Sequence, residues 1–231
     1  MKIGIIGAME LEIDSLRASI ESCKETKIGR FVFYEGSLKG IEVVLLLSGI
    51  GKVSASVATT LLIERYNPSL IINTGTAGGL GDTSVHDIIL ATEVRHHDVD
   101  VTAFGYEIGQ QAQMPPAFIA NTQWTERLKQ VAERYSHTLH YGQVVSGDSF
   151  ISSPTRLQEI ANTFPKAKAV EMEAAAIAQT CYLLNIPFVM LRAISDKAGE
   201  GNAVSYETFV VEAGKLSATI IKAFLASISE T

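Results

Sequence analysis

Short apolar runs alternate along this chain with segments of helical period, and most runs end in small or polar residues. Lys2 to Gly7 is the first run, where Ile3, Ile5 and Ile6 predict a buried strand that turns at Gly7-Ala8-Met9. Ile13, Leu16 and Ile20 follow at helical spacing and predict a helix from Glu10 to Ser22, with Glu12 in its first turn. Phe31 to Gly36 and Ile41 to Ser48 read as strands joined by a hairpin at Leu38-Lys39-Gly40. A glycine-punctuated loop, Ser48-Gly49-Ile50-Gly51-Lys52, leads into a helix with Val53, Val57, Leu61 and Leu62 on one face. That loop lacks the upstream glycine and spacing of a phosphate loop, so it brings backbone close to a ligand or packs a helix on a sheet.

The alternation continues. Ser69 to Asn73 is a strand, followed by Thr74-Gly75-Thr76-Ala77-Gly78-Gly79, a flexible, donor-rich turn able to admit an anion or a ring. Asp87 to Val94 is a strand, and Val101 to Pro116 is a long loop carrying Phe104 and Tyr106, of the kind that serves as a lid or an interface arm. A helix from Thr122 to Tyr135 presents Trp124, Leu128, Val131 and Tyr135. Tyr141 to Val145 is a strand ending in Ser146-Gly147-Asp148-Ser149-Phe150-Ile151. Thr155 to Thr163 is helical, Ala167 to Val170 is a strand, and Pro187 to Ala193 is a strand ending in Ile194-Ser195-Asp196-Lys197. The last helix runs from Tyr206 to Ile228, with Phe209, Val210, Leu216, Ile220 and Phe224 on its apolar face. No repeat or linker interrupts the series, so residues 1–231 read as one α/β domain, its sheet mixed because of the early hairpin.

Between the last two strands lies Ala-Val-Glu-Met-Glu-Ala-Ala-Ala-Ile-Ala, residues 169–178. The apolar lead-in ends a strand and the alanines start a helix. In an extended chain Glu171 and Glu173 would share one side and Met172 would take the other. Met172 and Glu173 reach one ligand only if the chain turns between them. A bend at Met172 and a helix starting at or just after Glu173 are therefore expected.

Composition narrows the function classes. A hydrophobic fraction of 47% supports a substantial core, and a net charge of −6 argues against nucleic acid or an anionic membrane surface as partner. No apolar stretch of about 18 residues predicts a membrane span, and the first residues do not read as a signal peptide. Cys23 and Cys181 are far apart and read as reduced core residues of a cytoplasmic protein. Arg95-His96-His97-Asp98-Val99-Asp100 invites a metal reading. Its histidines are adjacent, however, and no further ligand has the usual spacing, so a polar network at a strand end or subunit contact is expected, with no metal or cofactor.

Glu12, Glu173 and Asp196 lie at three turns that can converge at one sheet edge. Such a set suits cleavage of a glycosidic bond: one acid protonates the leaving group, one carboxylate activates water, and a third accepts both hydrogen bonds of a cis-diol. Met9, Ile50, Phe104, Phe150, Ile151 and Met172 would flank a flat base and an apolar substituent.

The motifs go further than composition. Gly-Ile-Ile-Gly-Ala-Met-Glu-x-Glu at 4–12, Ser-Gly-Ile-Gly-Lys-Val at 48–53 and Asn-Thr-Gly-Thr-Ala-Gly-Gly at 73–79 open a series. His-Asp-Val-Asp-Val-Thr-Ala-Phe-Gly-Tyr at 97–106, Ser-Gly-Asp-Ser-Phe at 146–150, Val-Glu-Met-Glu-Ala at 170–174 and Arg-Ala-Ile-Ser-Asp at 192–196 complete it. In this order the blocks resemble the 5′-methylthioadenosine/S-adenosylhomocysteine nucleosidase family, within the nucleoside phosphorylase and hydrolase superfamily, over nearly the whole chain. The resemblance implies a mixed twisted sheet flanked by helices and hydrolysis of an adenine thionucleoside. It implies Asp196 as general acid at purine N7, oriented by Ser195, and Glu12 as general base for water. Glu173 would hold the ribose hydroxyls, Met172 pack on the sugar, Phe150 stack on adenine, and the Ile151 backbone read the purine edge. Met9, Ile50, Phe104, Tyr106 and Tyr206 would line the alkylthio pocket, and Thr76 and Arg192 would support the water and the carboxylates. Ala77 and Gly78 fall in the same block. The loop 101–116 would reach a neighbouring subunit, which implies a homodimer. Thr76 stands where the family often has Ser, Tyr206 where Phe is common, and Lys197, expected to point outward, where an apolar residue is usual. A phosphorylase is the rival reading, against which Glu12 would set negative charge where phosphate must sit.

Overall fold

The computed structural model describes residues 1–135, 138–198 and 203–229, without the side chains of residues 197 and 203–208. The chain begins β1 (Lys2–Gly7), α1 (Glu10–Arg17), β2 (Glu21–Ile28), β3 (Phe31–Leu38), β4 (Ile41–Leu47) and α2 (Lys52–Tyr66). It continues through β5 (Leu70–Gly79), β6 (Ile88–His96), a short 3₁₀ helix (Thr102–Phe104), β7 (Phe118–Ile119), α3 (Thr122–Ala132) and β8 (Leu139–Ser146). The last elements are α4 (Pro154–Thr163), β9 (Ala167–Glu171), α5 (Ala174–Leu183), β10 (Phe188–Lys197) and α6 (Ala203–Ser229).

Among the described residues the strands form one sheet in the order β10-β6-β8-β9-β5-β1-β4-β3-β2, with β7 on β6 and a second pairing of β10 with β5. That second pairing closes β5, β10, β6, β8 and β9 on themselves. The other strands extend from β5 as an open wing. The sheet is mixed: β1 runs parallel to β4 and β5, and the β3–β4 hairpin is antiparallel.

Strand periodicity sends neighbouring residues to opposite layers. Ile5 belongs to a buried cluster that includes Leu16, Leu128 and Phe224 of α1, α3 and α6, while Ile6 belongs to a second that includes Ala55 and Leu62 of α2 and Ile177 of α5. Both isoleucines are fully buried, each burial stabilising the fold by roughly 1.5–3 kcal/mol. The result is a sheet covered by helices on both faces.

The structure corrects several expectations. The first helix ends at Arg17, and Glu21–Ile28 is an extra strand at the sheet edge. Its residues are mostly exposed and carry Glu21, Lys24, Glu25 and Lys27, so no apolar alternation marks it, and the charges protect an open edge. Cys23 sits on this strand and is exposed, whereas Cys181 is buried. Helix α2 buries Ala55, Ala58, Thr59, Leu62 and Ile63, leaving Val53 and Val57 exposed. The presumed turn Thr74–Gly79 is the second half of β5, held by β10 along its length. Ser195 and Asp196 lie within β10 rather than beyond it, with a bulge between Ile194 and Asp196.

Candidate active site

The glutamate at the start of α1 is not a solvated first-turn acid. Glu12 is 5% exposed and receives four hydrogen bonds. The backbone N–H groups of Ala8 and Met9 donate to its Oε2 at 2.9 and 3.1 Å, closing the N-terminal turn of the helix. The Thr76 N–H and hydroxyl donate to Oε1 at 2.8 and 3.0 Å. Strand β5 can approach so closely because residue 75 is glycine: a Cβ there would stand 2.7 Å from Glu12 Oε1. The glycine-rich block thus serves as a tight backbone cradle for a carboxylate.

Across the cavity, β9 ends at Glu171, the chain bends at Met172 and Glu173, and α5 begins at Ala174 with Glu173 as its N-cap. This is the geometry expected from the sequence. Glu171 turns into the new helix and accepts N–H bonds from Glu173 and Ala174, together with the Ser146 hydroxyl. Its charge is balanced by Arg192, whose Nη2 lies 2.8 Å from Glu171 Oε2 and 2.7 Å from Asn73 Oδ1. Glu171 is therefore the helix cap and the arginine's counter-ion, and Glu173 is left to face the cavity.

Glu173 accepts one backbone bond, from Gly51 N–H at 2.8 Å. Burial, then the nearby Glu171 and Glu12 charges, push its carboxyl up to about 8 against the lowering effect of Gly51 and Arg192. Asp196, on the bulged end of β10, receives the Ser195 hydroxyl on Oδ1 at 2.8 Å. Burial raises its pKa, and the Ser195 bond offsets this only in part. A raised carboxyl is what a proton donor at neutral pH requires.

These groups open on one cavity of about 370 Å³. Glu12, Glu173 and Asp196 share it with Met9, Ile50, Thr76, Ala77, Gly78, Phe150, Met172 and Ser195. Ile50 and Phe150 are more than half exposed and stand at its mouth. The arrangement offers two carboxyls raised by burial, Asp196 and Glu173, and one rigidly held carboxylate, Glu12, against an apolar, sulfur- and ring-bearing wall.

A model of the phosphorylase superfamily matches residues 2–226. A 5′-methylthioadenosine/S-adenosylhomocysteine nucleosidase of Shewanella piezotolerans is 49% identical over 227 residues, 97% of this chain and 99% of that protein. The chain belongs to the 5′-methylthioadenosine/S-adenosylhomocysteine nucleosidase family. The solved nucleosidase of Neisseria meningitidis in complex with methylthio-immucillin-A aligns with a TM-score of 0.95 at 46% identity, covering 98% of this chain and 99% of that one. The nucleosidase of Colwellia psychrerythraea 34H in complex with adenine aligns at 0.94 and 40% identity, covering 97% and 94%.

Not every residue expected of a family member lines the cavity. Arg192 lies behind it, 2% exposed, and acts through Glu171. The Ile151 side chain is buried in one cluster with Val145, Ile160 and Val170 and does not line the cavity. Phe104 is 81% exposed, and the Tyr106 hydroxyl accepts a bond from Gln113 N–H; neither lines this chain's own cavity. The side chains of Lys197 and Tyr206 lie outside the described residues. Two contributors carry no side-chain signal at all: the N–H groups of Ala8 and Gly51, which hold Glu12 and Glu173. The Gly-x-Gly spacing at 49–51 was the one trace of the second. His96 and His97 are buried, His96 bonding Gln179 through Nε2 at 2.9 Å, and they take no part in the cavity lining.

Proposed function

We propose that this chain hydrolyses the N-glycosidic bond of 5′-methylthioadenosine and S-adenosylhomocysteine, and of 5′-deoxyadenosine, releasing adenine and the 5-thioribose or 5-deoxyribose. The observation that carries this reading is the meeting of Glu12, Glu173 and Asp196 on one cavity with Met9, Phe150 and Met172. Asp196 protonates purine N7, so adenine leaves as a neutral base. Glu173 accepts the ribose 2′- and 3′-hydroxyls with two acceptor oxygens. Glu12 takes the proton of the attacking water. Its lone-pair sites are engaged by four donors, of which only the Thr76 hydroxyl can rotate away, so water takes that place. Phe150 stacks on adenine beside the Ile151 backbone, Met172 packs on the sugar, and Met9 and Ile50 contact the thio substituent. Each acid–base role is worth about 10²–10⁴ in rate.

Water rather than phosphate is the nucleophile, because a phosphate dianion would meet the Glu12 carboxylate instead of cationic or amide donors. Adenine release from 5′-methylthioadenosine in phosphate-free buffer, with free 5-methylthioribose as co-product, tests this. Strict dependence on phosphate and a pentose 1-phosphate product would reverse it. No adenine release in either buffer would remove the enzyme reading.

A homodimer completes the pocket in this reading, with loop 101–116 carrying Phe104 and Tyr106 to the neighbour's site. The exposed Phe104, Val53, Val57, Tyr182 and Leu183 support it as an apolar face for a second copy. Sedimentation of the purified protein checks it, with a monomeric, fully active enzyme as the opposing result. The two free thiols fit a reducing compartment, the cytoplasm. No helix among the described residues is long and apolar enough to cross a membrane.

A further inference from the structure

Three loops that meet at the rim of the cavity are tied together by one aspartate outside it. Lys52 Nζ lies 2.6 Å from Asp98 Oδ1, and the Asp148 N–H donates to Asp98 Oδ2 at 3.0 Å. The Lys52 N–H in turn donates to Asp148 Oδ1 at 2.7 Å. The next residue back, Gly51, gives its N–H to Glu173, and two residues beyond Asp148 stands Phe150. The triangle Lys52–Asp98–Asp148 therefore fixes both the donor that favours ionised Glu173 and the base of the loop that carries the stacking ring.

The fit at this point is close. Gly51 has φ of +92°, and a Cβ on it would lie 3.0 Å from Asp148 Oδ1. A Cβ on Gly147 would stand 2.4 Å from the His97 ring and 3.0 Å from Asp98 Cγ. The Lys52 and Asp98 side chains are only 17% and 25% exposed, so the pair is sheltered, unlike the solvated surface pairs that contribute little. Burial would raise the Asp98 carboxyl, but Lys52, the Asp148 N–H and His97 together hold it below the usual range.

We infer that Asp98 is a positioning residue for the diol clamp: through Lys52 and Asp148 it holds the Gly51 N–H on Glu173 and sets the Phe150 loop. This rests on the function proposed above. The charged and titratable groups facing Glu173 are Glu171 on β9, Glu12 on α1 and Arg192 on β10. Of the forces acting on it, the Gly51 bond is the one Asp98 controls.

The test is steady-state cleavage of 5′-methylthioadenosine from pH 5.5 to 9 by wild type, Asp98→Asn, Lys52→Met and the double variant, each first checked for a cooperative thermal transition. The expected result is a KM raised about 10-fold in either single variant, the scale of one lost hydrogen bond to a charged group, with kcat within about 3-fold. The acid limb of kcat/KM, which reports the free enzyme, moves to higher pH as Glu173 loses its donor. The double variant is no worse than the worse single one, because both break the same link. If Asp98→Asn does not fold, Lys52→Met tests the same ion pair. Folded variants with the wild-type KM and acid limb, or two effects that multiply, would overturn the role. A wild-type chain that releases no adenine would instead remove the proposed function, and this role with it.

Discussion

Replacing Arg192 with Met tests how the cavity keeps so many acids together. Arg192 is 2% exposed, and its Nη2 bonds Glu171 and Asn73 at 2.8 and 2.7 Å. Methionine fills much of the volume but leaves Glu171 buried without its counter-charge. Breaking such a pair from one side costs about 3–5 kcal/mol. For a chain of 231 residues the unfolding entropy is on the order of 490 cal/mol/K, so the melting temperature falls by roughly 6–10 °C. A second effect follows at the active site. Arg192 is one of the groups that hold the Glu173 carboxyl down, so without it that carboxyl rises further and fewer molecules carry ionised Glu173 at pH 7. KM for 5′-methylthioadenosine should rise at that pH. Scanning calorimetry and initial rates measure the two effects. Adding Glu171→Gln to the variant removes the unpaired charge and keeps an acceptor for the helix N–H groups, so part of the lost stability returns. A variant that melts within about 2 °C of wild type, with unchanged KM, would mean that the helix cap alone stabilises Glu171 and that the counter-charge argument is wrong.

Asp196→Asn and Glu12→Gln should each lower kcat by about 10²–10⁴ with modest change in KM, since they act mainly in the transition state; a wild-type kcat in either refutes its assigned role. KM should fall as pH rises from about 6 towards 8, because diol hydroxyls favour the ionised Glu173, whose free-enzyme pKa is raised to about 8; a KM that worsens with pH contradicts the clamp. If Asp196 must hold its proton to act, kcat should fall as rising pH ionises it, and Asp196→Asn should lack that fall; its persistence would point to another acid. Gly75→Ala places a Cβ 2.7 Å from Glu12 Oε1 and should lower kcat by about 10² or more as the base is displaced, which a kcat equal to wild type would disprove.

The bend at Met172 and the start of α5 could be read from the sequence, because alternation and helix propensity give incompatible directions on either side of Glu173. Periodicity located the turns that carry Glu12, Glu173 and Asp196 and allowed them to converge, and the motif resemblance singled out that convergence and gave each acid a role. Strand β2 was hidden because an edge strand with solvent on both sides carries no apolar rhythm. The second half of β5 was hidden because glycines read as a turn when the groups that press against them are remote in sequence. Glu12 lies 63 residues before Gly75, and only the folded sheet brings its carboxylate there. Helix α2 misled for a related reason: Val53 and Val57 look like core residues, yet they stand on the exposed face. Backbone donors such as Gly51 N–H belong to no residue type and leave almost no trace.

The bulge in β10 separates two kinds of parts in this site. Ser195 falls in the bulge, while Asp196 stays in register opposite Gly78, so the proposed proton donor is anchored in the hydrogen-bonded framework of the closed part of the sheet. Ile50 and Phe150, by contrast, ride on loops at the mouth. Sequence change at the rim can therefore alter which 5′ substituent is accepted while the bond-breaking machinery stays in place. Variation in substrate range and loss of catalysis should fall on different residues: the first on the rim loops, the second on the strands beneath them.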